Sequence, residues 1–181
     1  MGGTSIFVDG LHVARVLRDR HPADFNILTQ TPVSFHYIND GHHLHREHFT
    51  IDLAPASSAR QEIRHIHYSP PFQAPLPLST PIEFYSAFKR FSDLLNNEQN
   101  IFQYTLKEGD AVIFDNRRVL HGRTAFRDVT EEERRKGHHG VKDDKPSRWL
   151  KGCYLEADGI LDRLRVLKTR LRRATGITGT S

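Results

Sequence analysis

Cysteine is nearly absent: Cys153 is the single one in 181 residues, which excludes an internal disulfide framework and suits a reducing compartment. No CxxC pair, phosphate-cradling glycine loop or Ser-His-Asp order is present, so the common dithiol, P-loop and triad chemistries have no residues to carry them. No apolar run approaches the roughly 18 residues of a membrane helix. The start, Met1-Gly2-Gly3-Thr4-Ser5-Ile6, has neither the basic-then-apolar pattern of a secretion signal nor the Ser or Thr at position 6 of a myristoylation motif. The expectation is a cytoplasmic protein without membrane attachment, with mitochondria as the alternative compartment. An excess of positive charge is also lacking outside one segment. Arg163, Arg165, Lys168, Arg170, Arg172 and Arg173 outnumber the formal net charge of +4, so the rest of the chain is slightly acidic and no nucleic-acid partner is expected.

What is present is a series of short alternating elements without an internal repeat, enough for one domain with a sizeable core. Asp9 to Arg20 reads as a helix capped by Asp9, with Leu11, Ala14 and Leu17 on one face. Val33 to Ile38 and Ile63 to Tyr68 are strand candidates, and Pro70, Pro71, Pro75, Pro77 and Pro81 mark a surface loop. Thr80-Pro81-Ile82-Glu83 carries a capping Thr, a Pro at the first helical position and a Glu three after the cap. Phe84, Phe88, Phe91 and Leu95 then recur at helical spacing, which predicts a helix over about 81–96. Ile101 to Leu106, Asp110 to Phe114 and Trp149 to Leu155 read as strands, the last burying Cys153 as a packing thiol. Asp158 to Arg173 closes the chain as a helix whose Leu161, Leu164, Leu167 and Leu171 form a narrow apolar stripe. That stripe suits packing onto the domain or a second copy, a possible homodimer, better than a membrane surface.

The residues with chemical potential gather around one histidine. Gly109-Asp110, Val112-Ile113-Phe114-Asp115-Asn116 and Arg118-Val119-Leu120-His121-Gly122-Arg123 form an apolar segment that delivers His121 beside a glycine. A second histidine-rich stretch, His42-His43-Leu44-His45-Arg46-Glu47-His48, contains the spacing His45-x-Glu47, but its polar run without strand alternation reads as a solvated loop.

The segment around His121 resembles the distal half of the metal site in the taurine-dioxygenase-like superfamily of iron(II) and 2-oxoglutarate oxygenases, nearest to its gamma-butyrobetaine and trimethyllysine dioxygenase branch. Gly2-Gly3-Thr4-Ser5 with Val8-Asp9-Gly10, the Phe84-Tyr85 to Phe91 helix, and Arg148-Trp149-Leu150-Lys151-Gly152-Cys153-Tyr154 agree with it in order and approximate spacing. The resemblance implies the fold: mixed α/β, mainly β, a partial double-stranded β-helix (jelly roll) with flanking helices. It implies that residues 1–181 are the C-terminal part of one oxygenase domain, because the His-x-Asp motif that precedes the Gly-Gly segment in the family has no counterpart here.

By the same resemblance, His121 is a metal ligand for Fe(II), one of the two histidines and one carboxylate such sites use. Arg148 is the anchor of the 2-oxoglutarate carboxylate, since a planar guanidinium meets a carboxylate with two parallel hydrogen bonds. Arg134 competes by distance from His121, but its run Thr130-Glu131-Glu132-Glu133-Arg134-Arg135-Lys136 reads as a solvated loop, so Asp128 to Ser147 is taken as an enlarged hairpin loop; Arg123 and Arg127 are weaker candidates. Tyr154 matches a cage tyrosine that holds a trimethylammonium substrate by its π face. Tyr68 and Ser69 stand near polar substrate contacts, but Ser69-Pro70 departs from the family's usual Asn-Asn pair, and no amide contact is carried over. The implied reaction is hydroxylation of gamma-butyrobetaine to carnitine, with ascorbate as reductant. Trimethyllysine is the alternative substrate, and a non-catalytic fragment acting as a binding module is the alternative from another class.

Overall fold

A computed structural model of the chain describes residues 3–55, 61–125 and 150–175. The chain divides into two compact units, Met1–Arg127 and Asp128–Ser181. The first contains β1 (Ser5–Asp9), α1 (Gly10–Arg20), α2 (Pro22–Gln30), β2 (Pro32–Asn39), β3 (His42–Phe49), β4 (Ile51–Leu53), β5 (Ile63–Ile66), α3 (Ile82–Leu95), β6 (Ile101–Tyr104) and β7 (Val119–Arg123). In the second, the described helix is α4 (Ala157–Thr175).

Asp9 does what its position predicts: its carboxylate accepts a hydrogen bond from the His12 amide at 3.1 Å and caps α1. Val13, Ala14 and Leu17 then turn one helical face fully into the core. Helix α3 buries Phe84, Ala87, Phe91 and Leu95, with Phe88 packed at the margin, so the expected stripe is correct apart from that residue. The expected capping box does not form. The helix starts one residue later, Pro81 occupies the cap position without a side-chain cap bond, and the Phe84 amide instead donates to the Pro81 carbonyl at 3.0 Å.

Three antiparallel sheets lie among the described residues: β6-β1-β7, β2-β3 and β4-β5. They do not close into a barrel, and helices hold more of the described chain than strands do, so the architecture is mixed α/β rather than mainly β. The core joins α1, α2 and α3 to one face of the strands through Val8, Leu17, Phe25, Leu28, Val33, Ile51, Ile66 and Phe91.

Several expectations need correction. The stretch His42 to His48 is a strand, paired residue for residue with β2 from Asn39 opposite His42 to Pro32 opposite Phe49. Its cause is the two-residue turn Asp40-Gly41, both residues at positive φ (50° and 77°), the geometry that matches the twist of a tight hairpin. Asp110 to Phe114 is not a strand. Asp110 instead closes a local turn, its carboxylate accepting from the Lys107 amide at 2.8 Å and the Tyr104 hydroxyl at 2.9 Å. Residues 150–155 also form no strand, and Cys153 is exposed rather than buried; Trp149 lies outside the described residues. In both places apolar residues are present, but among the described residues no neighbouring strand offers the ladder that would satisfy the backbone. Helix α4 forms over the expected range and buries no residue.

Candidate functional site

The sheet β6-β1-β7 places His121. Its two faces follow from register: Val8 pairs with Ile101 on one side and Leu120 on the other, and this row packs against the core. The next row, Phe102, Phe7 and His121, points the opposite way because successive strand residues alternate. His121 therefore stands on an aromatic face, its ring centroid 5.1 Å from that of Phe114, which meets Phe7 edge-on at 5.6 Å.

Strand β7 is held in place at its start. The turn at Asp115 to Arg118 closes through the Val119 amide donating to the Asp115 carbonyl at 2.8 Å. Arg118 then grips Asp9 with two guanidinium nitrogens, Nη2 at 2.6 Å from Oδ2 and Nε at 3.1 Å from Oδ1. That guanidinium, more than any other neighbour, holds the Asp9 carboxyl below its usual range. Gly10 completes the joint: its amide donates to the Arg118 carbonyl at 3.0 Å, and a Cβ on it would stand 3.1 Å from the same oxygen. A side chain there would push α1 away from the turn.

The other expected site residues divide by position. Arg148, Arg134 and Arg127 lie outside the described residues. Tyr154 belongs to the second unit and is exposed. Arg123 ends β7 opposite Ser5. Tyr68 is committed to packing: its hydroxyl donates to Ser92 Oγ at 3.0 Å and its ring lies against Phe88 and Phe91. Ser69 opens the short 3-10 turn at Pro70–Phe72. His45 and Glu47 lie on the exposed hairpin strand β3, where Glu47 accepts from Ser34 Oγ at 3.0 Å.

The sheet β4-β5 carries a cluster that the sequence reading did not single out. Asp52 is opposite His65, and its Oδ2 lies 3.1 Å from His65 Nδ1. His67 completes a set of three donors whose ligand atoms all lie within 4.8 Å of one another. His48 of β3 stacks on His67 with centroids 3.9 Å apart and rings 9° from parallel. Burial, followed by the neighbouring His48, pushes the His67 imidazole down to about 4, so it is neutral near pH 7. Burial lowers His48 as well. The available sequence signal was His65-Ile66-His67: Ile66 is buried, which turns both histidines to the other side.

A facial iron site needs two histidines and a carboxylate around one ion. Among the described residues, no group of three such donors includes His121, and the one that exists is Asp52, His65 and His67. The described residues around His121 therefore do not make a complete iron site by themselves. No described helix is long and apolar enough to cross a membrane.

Residues 1–154 match the family described as Taurine catabolism dioxygenase TauD, TfdA family. Dioxygenase str8 of Strobilurus tenacellus is 49% identical over 167 residues, covering 92% of this chain and 37% of the relative. Gamma-butyrobetaine dioxygenase of Homo sapiens is 32% identical over 174 residues, covering 94% of this chain and 41% of the relative. Human mitochondrial trimethyllysine dioxygenase is 28% identical over 170 residues, covering 92% and 36%. The chain thus spans less than half the length of these relatives. With most of its length matched to the family and His121 displayed on a strand clamped through Arg118 and Asp9, the chain belongs to the TauD/TfdA dioxygenase family.

Proposed function

We propose that this chain carries the His121 portion of an Fe(II)- and 2-oxoglutarate-dependent dioxygenase, with the remaining metal ligands supplied from outside the described residues. The observation that carries this reading is the family match over residues 1–154 together with His121 standing on the aromatic face of β6-β1-β7. In this family, iron and 2-oxoglutarate supply the oxidising power for hydroxylating a C–H bond. Phe7, Phe102 and Phe114 would give the ion an apolar wall on one side, and the Asp9–Arg118 clamp would fix the strand that presents the imidazole.

Gamma-butyrobetaine is the proposed substrate and trimethyllysine the second reading, supported by relatives named for each. The 49% identity to a protein named only as a dioxygenase leaves other small-molecule substrates as outcomes of the test. Arg148 is proposed to hold the 2-oxoglutarate carboxylate and Tyr154 to contact the trimethylammonium head. The test uses a longer protein in which a His-x-Asp region precedes this chain, assayed for succinate release with Fe(II), ascorbate and each amine. His121→Ala should abolish turnover and Arg148→Ala should raise the 2-oxoglutarate requirement, whereas Arg134→Ala should change little. Reversed outcomes for the two arginines would move the anchor to Arg134. Tyr154→Leu should weaken amine binding about five- to thirty-fold through loss of the ring's π face and leave 2-oxoglutarate binding unchanged; equal weakening of both would contradict the cage role.

A further inference from the structure

We propose that Asp52, His65 and His67 form a second metal site, separate from His121, that takes a divalent transition-metal cation of the zinc class. This site stands on its own geometry and does not depend on the oxygenase reading. One carboxylate and two imidazoles are the donor set such borderline cations prefer, and three protein ligands leave a fourth position for water. Bonds of about 2.0–2.1 Å to tetrahedral ligands place donor atoms about 3.3 Å apart. The Asp52 Oδ2 to His65 Nδ1 separation of 3.1 Å is already near that spacing, and His67 closes the set from within 4.8 Å by side-chain rotation.

The backbone beneath the donors is held by strand pairing. Ile51 and Ile66 are buried opposite each other in the β4-β5 ladder, and the His67 amide extends that ladder by donating to the Thr50 carbonyl at 2.9 Å. All three donors are partly buried, which limits competition from water without closing an entry path. His48 packs against one face of the His67 ring. Asp52 and His65 lie in one sheet of the first unit, His67 directly follows its strand β5, and the cluster needs no residue of the second unit.

One neighbour opposes the cation. Arg117 Nη1 lies 3.4 Å from His65 Nε2, so without metal His65 bridges Asp52 on one nitrogen and Arg117 on the other. Metal at Nδ1 displaces the proton there and requires Nε2 to carry it, a tautomer that cannot accept from Arg117. The guanidinium must then withdraw. Arg117→Gln removes the positive charge, while the backbone bonds of Arg117 to Asp115 and Ile66 are independent of its side chain.

The test is a titration of the purified 181-residue chain with Zn(II) against a chromophoric chelator, and with Co(II) read by its visible absorption. The expected result is one tightly bound equivalent with a four-coordinate Co(II) spectrum. Asp52→Asn, His65→Gln and His67→Gln should each weaken binding by about tenfold or more, with circular dichroism confirming that each variant folds. Arg117→Gln should bind about three- to tenfold more tightly through loss of a like charge. His121→Ala and the double change His43→Gln with His45→Gln should leave the affinity unchanged. Failure to bind one equivalent, loss of binding in the His43/His45 variant, or undiminished binding in folded His67→Gln would overturn the proposal. Weaker binding in Arg117→Gln would contradict the predicted tautomer change.

Discussion

Removing the Asp9 carboxylate should loosen two elements at once, because one side chain both caps α1 and holds Arg118 at the head of β7. Loss of an N-cap costs about 1 kcal/mol, with a range of about 0.5–2. The pair with Arg118 is partly open to solvent, its side chains 36% and 52% exposed, so screening limits it to about 1 kcal/mol or less. Asp9→Ala should therefore cost about 1–2 kcal/mol in urea unfolding near pH 7. Asp9→Asn keeps a capping oxygen and loses the charge, so it should cost about 1 kcal/mol or less.

The pH dependence separates the two contributions. Arg118 lowers the Asp9 carboxyl below its unfolded value of 3.8, so the unfolded state takes up the proton first on acidification. The ion-pair contribution is complete above the unfolded value and is lost as pH falls through the lower folded value. The stability gap between wild type and Asp9→Asn should shrink below about pH 4 and also shrink in high salt. Equal stability of wild type and Asp9→Ala, or an Asn variant as unstable as the Ala variant and insensitive to salt, would refute the division of roles.

Phe91→Ala should destabilise the first unit by about 3–5 kcal/mol in the same unfolding assay, since it empties a fully buried position beside Tyr68. Tyr68→Phe should cost about 0.5–1.5 kcal/mol by losing the bond to Ser92 while keeping the ring contacts, as a thermal melt compared with Ser92→Ala would reveal. Gly41→Ala should cost about 1 kcal/mol through backbone strain alone, because its φ is +77° and a Cβ would meet nothing within 4 Å. A Gly41→Asn change, better tolerated at positive φ, should recover part of that loss.

The elements legible in the sequence were those whose signal is local. Asp9 before an apolar helical face announced α1, and the Phe84, Phe91 and Leu95 spacing announced α3, even though Thr80 did not become its cap. The β3 strand was hidden because seven of its eight residues are exposed and His48 is only half-buried, so no apolar alternation accompanies it. Its Asp40-Gly41 turn was the stronger cue. Val112, Ile113 and Phe114 misled for the opposite reason: apolar residues invite a strand reading, but pairing depends on a neighbour that local sequence does not reveal. His121 was legible as a site residue from its motif, whereas Asp52, His65 and His67 come together only through the register of β4 with β5. A bulge between Asp52 and Leu53 shifts that register, which sequence spacing alone does not disclose.

Succinate release from 2-oxoglutarate, measured side by side for the 181-residue chain alone and for the same chain joined to a relative's upstream region bearing His-x-Asp, tests the central claim most directly. The chain alone should show no turnover above background, because no described donor group includes His121. The joined protein should turn over and lose that activity with His121→Ala. Robust turnover by the chain alone, or activity that survives His121→Ala in the joined protein, would contradict the assignment of His121 as the ligand this chain contributes.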